Sequence, residues 1–154
     1  MRSIVAVVGC AVAIWGVRMV VASIDDNEGV RLSMASLLAA FSYEAETFVS
    51  ADDFLANRRS DVKYCILLDV AMLGMSGLEL QQQLRDEGDP TPIVFVSAND
   101  DAATRETARK AGALGFLSKP PNLDKLLELL ELAEHGVKSA APDLKPAARR
   151  HSAR

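Results

Sequence analysis

The sequence predicts an α/β fold: a five-stranded, doubly wound parallel sheet with helices on both faces. Two observations carry that expectation. From Val20 onward, strand-type and helix-type segments alternate five times, as they do where crossover helices join parallel strands. Two of the strand-type runs, "YCILLDV" (64–70) and "PIVFVSA" (92–98), are apolar nearly throughout, which suits strands covered on both faces. A chain of 154 residues has room for one domain whose core needs no disulfide.

The elements follow in order. "VVASID" (20–25) is the first strand. Val30, Met34, Leu37, Leu38 and Phe41 then recur at helical steps on one face, with Asp26 or Asn27 placed to cap that helix. "EAETFVS" (44–50) is strand-like, and "ADDFLANRRS" makes a short helical piece. After the run at 64–70, "SGLELQQQLRDEG" (76–88) opens with Ser76 and Glu79 in capping-box spacing and closes on Gly88. "DAATRETARKAG" (101–112) has helical propensity but few large apolar anchors, so it is expected to be among the less stable elements. "GFLSKP" (115–120) is a short strand, and "NLDKLLELLELAEHG" (122–136) is a leucine-rich helix between Asn122 and Gly136. Five such units within 19–135 fit the flavodoxin-like strand order 2-1-3-4-5.

Charge is unevenly spread. Residues 19–135 carry a net −10, residues 1–18 a net +2 and residues 136–154 a net +4. An acidic body argues against a nucleic-acid partner. The tail "KSAAPDLKPAARRHSAR" reads as a solvated, disordered end, with a weak contact to an acidic partner as the lesser reading. Cys10 and Cys65 have no metal-ligand spacing, and nothing in them requires an oxidising compartment. The apolar stretch from Ser3 to Val17 falls short of the roughly twenty residues a spanning helix needs, and only Arg18 and Met19 separate it from the first strand. Residues 1–18 therefore read as an over-long start or an appendage outside the fold. The second reading is an inner-membrane tether on an otherwise cytoplasmic protein.

Doubly wound sheets place their sites beyond the carboxyl ends of the strands. Here those ends carry Asp25 and Asp26 on strand one, Asp69 on strand three, Ser97 with small Ala98 on strand four, and Lys119-Pro120 on strand five. Strands one and three are neighbours in the expected order, so three carboxylates share one crevice. Their repulsion requires that one protonate or that a cation sit among them. Oxygen-only ligands suit Mg²⁺, and a metal among carboxylates makes phosphoryl chemistry plausible. Each residue alone also has a plain role, as a helix cap or a surface lysine; four strand ends chosen together favour a site.

These residues resemble the receiver domain of two-component response regulators, in its FixJ-like group, over about 20–134. "VVASIDDNEGVRLSMASLL", "AETFVSADDFL", "LLDVAMLGMSGLELQ", "PIVFVSA" and "KAGALGFLSKP" carry the likeness. The resemblance implies that Asp69 accepts a phosphoryl group from a histidine kinase. It implies Mg²⁺ held by Asp25, Asp26, Asp69 and the backbone carbonyl of Ala71. Ser97 and Lys119 would bind the phosphoryl oxygens, the Lys119–Pro120 bond would be cis, and Phe116 would be the switch aromatic. The fourth helix, fifth strand and fifth helix would form the face that docks a downstream protein. Two positions depart from the family pattern. Met72-Leu73-Gly74 replaces the usual Met-Pro-Gly, which frees a backbone angle and adds an N–H, and Pro121 stands where Phe is common.

The expected function is a phospho-accepting receiver in a phosphorelay. About twenty residues follow the last helix, too few for a DNA-binding output domain, so signalling would run through protein docking. One alternative is an Mg²⁺-dependent aspartate-nucleophile phosphohydrolase, but that chemistry wants Asp-x-Asp on the first strand rather than adjacent Asp25-Asp26. A pseudo-receiver interaction module is a further alternative, weakened because no chemical position is lost. A flavin or nucleotide binder would want a Gly- or Ser/Thr-rich loop where "DDNEGV" stands.

Overall fold

The computed structural model describes residues 19–136. The expectations for 1–18 and for the basic tail beyond 136 lie outside these residues. Five strands and five helices alternate: β1 (Met19–Ile24), α1 (Glu28–Ala40), β2 (Glu44–Phe48), α2 (Ala51–Asn57), β3 (Lys63–Leu68), α3 (Gly77–Asp86), β4 (Ile93–Ser97), α4 (Ala102–Lys110), β5 (Gly115–Ser118) and α5 (Leu123–Glu134). All strand pairs are parallel, in the order β2-β1-β3-β4-β5, as the alternation predicted. No helix among the described residues is long and apolar enough to cross a membrane.

Side-chain alternation along the strands builds two cores. Val20, Ala22, Ile24, Ile66, Leu68 and Phe95 face Phe54 of α2, Leu80 and Leu84 of α3, and Ala108 of α4. Val21, Cys65, Leu67, Val94 and Val96 face Met34 and Leu38 of α1 and Leu126 and Leu130 of α5. Phe54 is fully buried and meets Phe48 and Tyr64 edge-on at 5.2 and 5.5 Å, the favoured geometry for aromatic pairs.

Polar residues set the helix starts. Asn27 caps α1 by accepting from the Val30 N–H, and Ser76 and Glu79 form a reciprocal capping box on α3, worth about 1 kcal/mol. Asn122 caps α5. One core expectation differs. Phe41, placed by periodicity on the buried face of α1, is its C-cap residue and stays 43% exposed. Helical phase ends with the helix, so the cap turns the ring outward. Helix α4 buries only Ala108, in keeping with its lack of large apolar anchors.

Cys65 lies at the centre of the sheet, and burial pushes its thiol from an ordinary 9.0 up to about 12. The folded state then holds this proton more tightly than the unfolded chain across that window. Stability must therefore fall as pH rises from 9 toward 12, with a slope approaching about 1.4 kcal/mol per pH unit from this group. Urea midpoints measured across that alkaline range should fall less steeply for Cys65→Ala than for the parent. An identical slope would remove Cys65 as the cause.

Candidate functional site

The register of β1 and β3 sets the site. Ile24 lies opposite Leu68, so the next residue of each strand, Asp25 and Asp69, emerges side by side at the carboxyl edge. Both are buried, at 4% and 9% exposure. Lys119 follows β5, and its Nζ donates to Asp25 Oδ2 at 2.7 Å and to Asp69 Oδ2 at 2.9 Å. The Lys119–Pro120 peptide bond is cis. Burial alone would lower the Lys119 pKa, but its hydrogen bonds to the two carboxylates, and their charges, outweigh that and raise it above the ordinary 10.5. The ammonium thus supplies the cation that two crowded carboxylates demand.

Asp26, the third carboxylate, is exposed. Its Oδ2 accepts the Leu73 N–H at 3.1 Å. That amide exists because residue 73 is leucine and not proline. Asp25 Oδ1 accepts the Asn27 N–H, and Arg31 donates to the Asp25 carbonyl. Among the described residues no three acids or histidines are grouped closely enough to hold a metal by themselves. Mg²⁺ needs only one or two carboxylates and otherwise keeps water. Asp69 Oδ1 and Asp26 Oδ1 accept no hydrogen bond from the described residues, so the donor set suits such an ion.

Ser97, 1% exposed, ends β4. Its hydroxyl accepts the Asn99 N–H at 3.0 Å, while its carbonyl takes the Lys119 N–H at 3.1 Å. The hydroxyl proton remains to be donated. Phe116 of β5 is half-buried and stacks on Phe95 at 5.6 Å between centroids. The Arg105 guanidinium of α4 lies 4.9 Å over the outer face of the ring and donates to the Phe116 carbonyl. Ser118 is hydrogen-bonded to Asp100 in the β4–α4 loop.

Four contributors escaped the sequence reading. Gly77 opens α3 directly against the acceptor, since a Cβ there would stand 2.2 Å from the Asp69 carbonyl oxygen. A glycine at a first helical position, where most residues serve, was its only signal. Arg105 and Asp100 show their roles only once α4 is set beside β5. Gln81, a buried polar residue of α3, donates to the Ala108 carbonyl at 3.0 Å and ties α3 to α4; its place in an otherwise ordinary polar run hid it.

Comparison with known proteins identifies the family and the fold. The family model for the response regulator receiver domain matches residues 21–131. The chain is 43% identical over 110 residues to the transcriptional regulatory protein TdiR of Thauera aromatica, and 36% identical over 110 residues to the response regulator protein TodT of Pseudomonas putida. Each match covers 71% of this chain and 48% of the relative, so the chain spans about half the length of those proteins. Among solved structures, response regulator StyR superposes with a TM-score of 0.71 at 36% identity, covering 87% of this chain and 67% of that one. FixJ-N superposes with a TM-score of 0.70 at 32% identity, covering 77% and 95%. By its matched sequence and strand order, this chain belongs to the response regulator receiver domain family, whose role is to accept phosphoryl groups in two-component signalling.

Proposed function

We propose that Asp69 accepts a phosphoryl group from the phosphohistidine of a cytoplasmic histidine kinase. The observation that carries this reading is the Lys119 ammonium shared between buried Asp25 and Asp69 at 2.7 and 2.9 Å. It holds the acceptor side chain in place at the carboxyl edge of the sheet through Oδ2. Attack forms the Asp69 O–P bond and breaks the P–N bond, and the imidazole leaves with that electron pair. Asp25, Asp26, Asp69 and the Ala71 carbonyl are the groups that would hold Mg²⁺, which when bound neutralises charge on the incoming phosphoryl group.

Two movements follow on the protein side. The Lys119 ammonium exchanges a carboxylate partner for a phosphoryl oxygen, and the Ser97 hydroxyl donates its proton to another. Drawing Ser97 inward shortens β4 toward the site and gives Phe116 room to leave its place under Arg105. The surface of α4, β5 and α5 then changes shape and docks a downstream protein.

Incubation with acetyl phosphate and Mg²⁺, read by intact mass, tests the reading. The parent should gain one phosphoryl group and Asp69→Ala none. Steady phosphate release from small phosphoesters with no adduct on the protein would instead indicate a phosphohydrolase.

A further inference from the structure

Helix α4 is held to the fold unevenly along its length. Ala108 is its one buried residue. There the Ala108 carbonyl accepts the Gln81 Nε2–H from α3 and the Ala113 N–H, each at 3.0 Å, so the carboxyl end of the helix is pinned. The amino end has no apolar anchor. Asp101 caps it, and Asp100, just before the cap, is hydrogen-bonded to Ser118. Arg105 lies one turn before Ala108 on the same face of the helix, and its exposed side chain reaches across to β5.

The Phe116 ring lies between two partners. Fully buried Phe95 stacks on it at 5.6 Å and 26°, and the Arg105 guanidinium carbon lies 4.9 Å from its centroid. Arg105 also donates to the Phe116 carbonyl, but at 3.4 Å that bond is long and adds little. Among the described residues no carboxylate forms an ion pair with Arg105. Its charge is therefore turned to the ring face, where the π electrons make the ring negative. An inward turn of Phe116 forfeits this contact. An exposed cation–π contact shifts a two-state equilibrium roughly two- to fivefold.

We propose that Arg105 is the latch of the switch: its guanidinium over Phe116 holds the ring and the amino end of α4 in the resting position, and phosphoryl occupancy at Asp69 has to release it. The inference rests on Asp69 as the acceptor and on Phe116 as its switch aromatic, and it adds the residue that sets how readily the switch moves. Release leaves α4 pinned at Ala108 and free at its amino end, so the helix swings about the Gln81 contact. By reciprocity, the latch weakens the phosphoryl site by the same factor by which it favours the resting position. Arg105 is thus a positioning residue that acts through Phe116.

Beryllofluoride, added with Mg²⁺ to the full chain as a mimic of the aspartyl phosphoryl group, tests the latch. Arg105→Gln keeps helix propensity and removes the cation. Its beryllofluoride midpoint, read from amide NMR shifts, should fall about two- to fivefold below the parent's. The direction is diagnostic, because removing a positive charge would by field alone weaken the binding of an anion. Arg105→Lys, which keeps a cation within reach of the ring, should lie between the two. In a Phe116→Leu background the effect of Arg105→Gln should vanish. Without ligand, Arg105→Gln should speed amide exchange over 102–106 and leave 108–113 as in the parent. Exchange raised evenly along the helix would overturn the pivot at Ala108. A midpoint that is unchanged or raised, in a parent that binds beryllofluoride, would overturn the latch and leave the acceptor reading intact. An equal fall in the Phe116→Leu background would also overturn it, since the ring would then play no part. A parent that takes up no beryllofluoride would overturn the acceptor reading, and this coupling with it.

Discussion

Lys119→Met is expected to destabilise the fold by about 3 kcal/mol at neutral pH, the usual cost of removing one partner from a buried ion pair. Methionine keeps much of the stem and removes the charge, so Asp25 and Asp69, whose side chains are only 6% and 11% exposed, face each other uncompensated. The raised Lys119 pKa sets the sign in the parent chain. Its contribution is fully present below about 10.5 and is lost as pH climbs through the raised folded value. The deficit of the variant against the parent should therefore be full at neutral pH and shrink as pH climbs through that raised value. Urea unfolding in chelator-treated buffer measures it. Added Mg²⁺ should recover part of the loss, because a ligand of the native state stabilises by mass action. A variant as stable as the parent at neutral pH would remove Lys119 as the compensating charge.

Gly77→Ala should cost about 3 kcal/mol or more, although alanine in place of glycine ordinarily favours a helix by about 1 kcal/mol. The added methyl would stand 2.2 Å from the Asp69 carbonyl oxygen, 3.0 Å from its carbon and 3.1 Å from the Val70 Cα. All three are backbone atoms, and the Gly77 N–H is already bonded to the Val70 carbonyl at 2.9 Å, so neither side has slack. The strand end carrying Asp69 must shift. A displacement near 1 Å at a reacting group costs about a hundredfold in rate, so adduct formation from acetyl phosphate should slow sharply along with the loss in urea midpoint. Gly115→Ala is the control: the nearest atoms to its methyl would be Cδ1, Cδ2 and Cγ of the Leu129 side chain rather than backbone, and a side chain can rotate away. Equal, small effects at both glycines would mean that the β3 terminus yields.

The sheet was legible because its evidence is local. Strands β1, β3 and β4 announce themselves as apolar runs, and the order follows from unbroken βα alternation. The carboxylates were legible because neighbouring strands must deliver their next residues together. Strand ends were read one or two residues long, at Asp25 and Asp69 for instance, since a polar residue just past the ladder looks like its last member. What could not be read depends on contacts between distant segments. Lys119 seemed a ligand awaiting phosphate, whereas the fold makes it the counter-ion of two acids ninety-four and fifty residues away. Arg105 over Phe116 requires knowing how α4 lies on β5. Phe41 followed the helical period faithfully up to the residue where the helix ends.

The bond between the Leu73 amide and Asp26 changes the character of the loop after β3. A proline ring at 73 would hold that loop by covalent restraint, in every state alike. Here the restraint is a hydrogen bond at 3.1 Å, beside a leucine that is 81% exposed. Such a restraint is conditional, because it lasts only while the Asp26 carboxylate keeps Oδ2 turned toward the Leu73 amide. Occupation of the acid and order of the loop are then two sides of one equilibrium, and by reciprocity each must shift the other by the same factor.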